Sequence, residues 1–222
     1  MVAVIDSGIA RTAELSPVLV AEYDEAVAPG RATFSPRHSH GTIVASILNR
    51  AAGGAVDIIS FRIDDEAGCP AGSVPPCQAD PLPVARAIDH ATALGVDAIN
   101  LSLTLANHPA IVGAVSRATR QGIIVVMAAG NKAKDRPDNV TMARAGFPLA
   151  VLVGATGDDD RPWPLSNRPE ALKPGYNYVW RRGVGVPATD ATGAAVRATG
   201  TSFAAPVETA RRVLAPVMAD AR

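Results

Sequence analysis

"VDAINLSLTLANHPAIVGAVSRATRQGIIVVMAA", residues 96 to 129, decides the fold. It opens on an apolar run (96–103), turns at Asn-His-Pro, and continues with Ile111, Val112, Val115 and Ala118 at helical spacing. It closes on a second apolar run, 122–129. Short β-branched runs bounded by turn residues read as buried strands, and the amphipathic stretch 109–120 reads as a helix. Strand, helix and strand in so short a span form a crossover unit, which sets its two strands parallel in one sheet.

The pattern repeats on either side. "VAVI" (2–5), "VDIISF" (56–61) and "LAVLVGA" (149–155) read as further buried strands. Helical spacing recurs at about 40–50, with Ile43, Val44, Ile47 and Leu48, and at about 83–94, with Val84, Ala87, Ile88, Ala91 and Leu94. The chain is therefore expected to be an α/β protein, a doubly wound mostly parallel sheet with helices on both faces. Its length of 222 residues fits one domain, taken as 1–222. The proline-rich segment 156–185 reads as irregular loops.

Composition narrows the function. Lys plus Arg equals Asp plus Glu, 21 each, which gives no basis for a nucleic-acid partner or an anionic membrane surface. The longest apolar run, Ile123 to Ala129, is far short of the roughly 20 residues that a bilayer requires. With no signal peptide visible, the chain as written is cytoplasmic; a missing precursor segment would make it periplasmic or secreted. Cys69 and Cys77 bracket "CPAGSVPPC", and a disulfide ring and two free thiols both stay open. Oligomeric state is open as well.

In open parallel sheets, function gathers beyond the carboxyl ends of the strands. Asp6 follows "VAVI" directly, where a carboxylate needs a partner to be buried; an Asx-turn would also explain it. His40 opens a helix in "HSHGTIVAS", and Gly41 beside it permits close approach. Asn131 ends "VVMAAGN", either as ordinary turn chemistry or as an amide aimed at a developing oxyanion. Ser202 lies in "ATGTSFAAPV" (198–207), at a helix start where the dipole favours negative charge.

"VAVIDSGI", "SHGTIVAS", "INLSL", "VVMAAGN" and "GTSFAAP" together resemble the successive signature segments of the subtilisin-like serine proteases, the subtilases, in that family's order. The resemblance runs from residue 2 to about 207. It implies a three-layer α/β/α fold and a serine endopeptidase acting on peptide or protein substrates through an acyl-enzyme. Ser202 would be the nucleophile, His40 the general base and acid, and Asp6 the group that orients His40. Asn131 would complete the oxyanion hole. Ser102, Leu103 and Thr104 would pair with an extended substrate, and Ala129 and Gly130 would line the pocket for the side chain before the scissile bond. Small residues there imply an apolar or bulky occupant. No cofactor and no metal is expected; the connection after the His40 helix is too short for the family's usual calcium loop.

Several positions depart from the family. Thr104 stands where glycine is usual, and Glu208 falls on a helix expected to be deeply buried. These departures keep a second reading open, a catalytically weak or inactive relative that binds peptides as a scaffold. An α/β-hydrolase reading fails, because Ser202 lacks the second glycine of G-x-S-x-G. "GVGVPA" (183–188) lacks the helix a dinucleotide fingerprint needs. His38 and His40 lack further zinc ligands at suitable spacing.

Overall fold

A computed structural model describes residues 1–26, 30–64, 80–171 and 175–219. Cys69 and Cys77 lie outside the described residues. Seven strands form one parallel sheet: β1 (Val2–Asp6), β2 (Leu19–Asp24), β3 (Ile58–Arg62), β4 (Ala98–Leu101), β5 (Ile124–Ala128), β6 (Ala150–Thr156) and β7 (Asn177–Arg182). The helices are α1 (His40–Ala51), α2 (Leu82–Ala93), α3 (Pro109–Arg120), α4 (Val140–Ala145) and α5 (Thr201–Ala219). An antiparallel pair, β8 (Val186–Thr189) with β9 (Ala195–Ala198), precedes α5.

Side chains alternate across a strand, and here both faces are covered. Ala3, Ile5, Ile99, Leu101, Val125 and Met127 pack under α2, α3 and α4, with Val84, Ile88, Ile111 and Val115. Val2, Val4 and Ala98 turn to the other face and meet Val44, Leu48 and Ala210 of α1 and α5. Val126, Val151 and Val153 continue that layer against Ala204 and Ala205. Two-sided burial explains why the central strands read as unbroken apolar runs.

The strand order is β2-β3-β1-β4-β5-β6-β7. The chain passes from β1 to the edge at β2, steps back to β3 beside β1, then crosses to β4 and winds out to the other edge. β1 and β4 are therefore the neighbours at which the winding reverses, and the crevice beyond their carboxyl ends is where an open sheet admits a ligand. Asp6 ends β1 and Ser102 follows β4.

The segment 156–185 is not wholly irregular: Asn177–Arg182 forms β7, paired with β6 throughout its length. Its "NYVWRR" is only partly buried, as an edge strand allows. Arg181 of β7 also accounts for Glu208. That carboxylate, fully buried on α5, accepts from Arg181 Nε at 2.6 Å and from Arg212 Nε at 2.7 Å. Glu208→Ala would leave the two guanidiniums unpaired and is expected to lower stability by about 3 kcal/mol. That is the low end for a buried pair, because both arginines are about a quarter exposed and can rehydrate. Urea unfolding of the variant measures it; a change below about 1 kcal/mol would class the network with ordinary surface pairs.

Candidate active site

Asp6 is 1% exposed at the carboxyl end of β1. Its Oδ1 accepts from the Ser7 N–H at 2.7 Å, and its two oxygens face His40 Nδ1 at 2.8 and 2.9 Å. The Ser7 hydroxyl accepts from the Gly41 N–H and donates to the His38 carbonyl, both at 3.1 Å, tying the end of β1 to the start of α1. Gly41 is required by this approach. A β-carbon there would collide with the Gly8 carbonyl oxygen and lie 3.2 Å from Asp6 Oδ1. Burial pulls the His40 pKa down, but the Asp6 charge and hydrogen bond outweigh it and hold the imidazole above its ordinary value of 6.5.

Ser202 lies in the first turn of α5, and the ring of Phe203 beside it packs on the His40 imidazole with centroids 5.5 Å apart. The Ser202 hydroxyl donates to the Ser102 carbonyl at 2.8 Å, and the Ser102 hydroxyl returns a bond to the Ser202 carbonyl at 2.7 Å. Ser102 Oγ is in turn fixed by Asn100 Nδ2, and Asn100 Oδ1 by the Thr209 hydroxyl of α5. Asp6 and His40 are thus joined directly, whereas the hydroxyl of Ser202 is turned to Ser102 and not to His40. Side-chain contacts of this sort are often long or turned away in a free site and tighten only when a ligand arrives.

Asn131 follows β5 through Ala129 and Gly130. Its Oδ1 accepts from both the N–H and the hydroxyl of Thr201, each at 2.9 Å, and Thr201 Oγ1 accepts from the Gly130 N–H at 3.0 Å. Two donors on Oδ1 settle which end of the amide is oxygen. The Nδ2 end is left to face the surface beside Gly200, whose β-carbon would stand 3.2 Å from it. Gly200 also has φ +148°, at the margin of the region glycine favours.

The expected substrate-binding residues sit on two walls. β4 ends at Leu101, so 102–105 leaves the sheet instead of continuing the strand read over 96–103. The side chains of Leu103 and Leu105 turn into the core. Asn139 clamps this segment to the other wall: its Nδ2 donates to the Leu103 carbonyl at 2.7 Å and the Ala128 carbonyl at 2.9 Å, and its Oδ1 accepts from the Leu105 N–H at 2.8 Å. Ala129, fully buried, has its carbonyl taken by Asp138 N–H and Asn167 Nδ2. Among the described residues, the N–H and carbonyl of Thr104 have no main-chain partner. Sequence reading did not single out Ser7, Thr201 as a clamp on Asn131, or Asn139. Their partners lie from 11 to 70 residues away, beyond any local motif. Among the described residues no cluster of three or more His, Cys, Asp or Glu could hold a metal ion, and no helix is long and apolar enough to cross a membrane.

The seven-stranded parallel sheet thus carries a buried Asp-His pair at its switch point and a serine on the helix facing that pair. Residues 1–215 match the model of the subtilase family, and the chain belongs to that family of serine-type endopeptidases. A cold-adapted subtilisin-like serine proteinase superposes with a TM-score of 0.77 at 22% identity, over 97% of this chain and 75% of that one. The prenylagaramide maturation protease PagA gives 0.76 at 19% identity over 100% and 77%. Sphericase gives 0.75 at 21% identity over 97% and 77%. At these identities the likeness is one of fold. No curated protein is similar enough in sequence to match.

Proposed function

We propose that this subtilase cleaves peptide bonds with Asp6, His40 and Ser202 as its triad, through an acyl-enzyme. The bond between buried Asp6 and His40 Nδ1 carries the reading. A carboxylate on Nδ1 keeps the proton there and leaves Nε2 as the base. An extended substrate pairs with the free main-chain groups of Thr104, as an added strand. Its N–H competes for the Ser102 carbonyl, and the Ser202 hydroxyl turns to His40.

Ser202 Oγ then attacks the scissile carbonyl carbon while its proton passes to His40 Nε2. The carbonyl π electrons move to oxygen, and the oxyanion is held by Asn131 Nδ2 and the Ser202 N–H. Collapse breaks the C–N bond, and the Nε2 proton goes to the leaving amine. Water repeats the sequence on the ester and frees Ser202.

One observation favours a second reading, a peptide-binding relative without turnover: the Ser202 hydroxyl is bonded to Ser102. A fluorophosphonate probe separates the two. Labelling confined to Ser202, absent in Ser202→Ala and accompanied by cooperative unfolding, is the expected result. A folded chain that resists the probe would sink turnover by this form and leave a precursor-dependent enzyme or the binding reading.

A further inference from the structure

The two walls held together by Asn139 enclose one charge. Asp138 precedes Asn139, and its side chain is 13% exposed. A β-carbon on Gly130 would collide with its carboxylate, so that carboxylate lies directly on the Gly130 backbone. The oxygen that would be struck, Oδ2, also accepts from the hydroxyl of Thr104 at 3.4 Å. Asp138 therefore stands between Thr104 and Gly130, the two segments that flank a substrate side chain if the proposed function holds. Its Oδ1 carries the ammonium of Lys134 at 3.1 Å, on a side chain that is half exposed. Arg136, two residues before Asp138, is directed to Glu170.

We propose that Asp138 makes this protease select a basic side chain, arginine or lysine, immediately before the scissile bond. The small residues Ala129 and Gly130 alone point to an apolar occupant; the carboxylate between the walls reverses that preference. An apolar side chain entering here would strip water from Asp138 without replacing it. An acidic one would be repelled. A guanidinium or ammonium supplies donors to Oδ2 while Lys134 keeps Oδ1, because an ionised carboxylate accepts at about four sites. Lys134, half exposed, keeps its ammonium solvated on that side, so the two cations share the carboxylate without either being buried unpaired.

The test uses peptides that differ only at the residue before the cleaved bond, arginine, lysine, leucine or phenylalanine, with wild type and Asp138→Asn. The expected wild-type kcat/KM for arginine and lysine exceeds that for leucine by about tenfold or more, the least a shielded charge pair contributes. In Asp138→Asn the arginine-to-leucine ratio falls by a similar factor. A preference for leucine or phenylalanine in wild type, or an unchanged ratio in the variant, overturns the proposal. Fluorophosphonate labelling of the same samples reports the nucleophile separately, so a labelled enzyme without basic preference sinks only this inference. If nothing labels, affinity of the arginine and leucine peptides for Ser202→Ala, with and without Asp138→Asn, reads the preference from binding alone. Equal affinities there overturn it as well.

Discussion

Ser202→Ala is expected to lower kcat on a peptide substrate by about a millionfold, and His40→Ala added to it to lower kcat hardly further. Both magnitudes are those of subtilisin itself, a member of the same family. The physical reason is that in the proposed mechanism the two residues act as one unit. Without Oγ there is no proton for His40 Nε2 to take, and without Nε2 the Ser202 hydroxyl stays a weak nucleophile bonded to the Ser102 carbonyl. What would survive in both variants is the proposed donor pair of Asn131 and the Ser202 N–H with the binding walls, expected to be worth about 1,000- to 10,000-fold over water. Steady-state kinetics on the two single variants and the double variant measure this. Losses that multiply in the double variant would mean that Ser202 and His40 do not work on the same proton.

The second large effect is at Asp6. Asp6→Asn preserves shape, but an amide can place an N–H against Nδ1 and hold the wrong tautomer; the expected loss is about 10,000-fold, as for other triads. The pH profile adds a signature that a merely structural defect would lack. In the wild type, burial lowers the His40 pKa, but the Asp6 charge and hydrogen bond raise it past 6.5. The acid limb of kcat/KM, which tracks neutral His40, should therefore lie above 6.5. Asp6→Asn removes both raising causes and leaves burial, so the limb should move to lower pH. Stability follows the same linkage. A raised folded-state pKa means that protonated His40 stabilises the fold below 6.5, and this is lost as pH rises through the folded value. A limb that stays in place in Asp6→Asn would detach His40 from Asp6 in solution.

How far the fold was legible depended on burial. β1, β3, β4, β5 and β6 have partners on both sides in the sheet, and their apolar runs announced them. β2 and β7 are the two edges. "LVAEYD" and "NYVWRR" keep charged residues because one side meets solvent, and neither run stood out. α4 spans only 6 residues, too few for a helical period to repeat. At the site, Asp6, His40, Asn131 and Ser202 each sit in a short segment with its own local pattern. Asp138 has no such pattern: "KDRPDN" reads as a charged turn, and only the folded chain sets its carboxylate on Gly130.

The order in which the chain contributes to the site bears on its own synthesis. Asp6 comes from the first strand, whereas Ser202 comes from the last helix, which packs on β4, β5, β6 and β7 and is pinned to β7 by Glu208. A ribosome working from the amino end releases Asp6 and His40 before β3 and the strands that follow it, and Ser202 only after β9. Parallel sheets assemble through distant pairings and gain little until the late elements arrive. If the proposed triad holds, a growing chain therefore lacks its nucleophile, and hydrolytic capacity is expected only once α5 has docked.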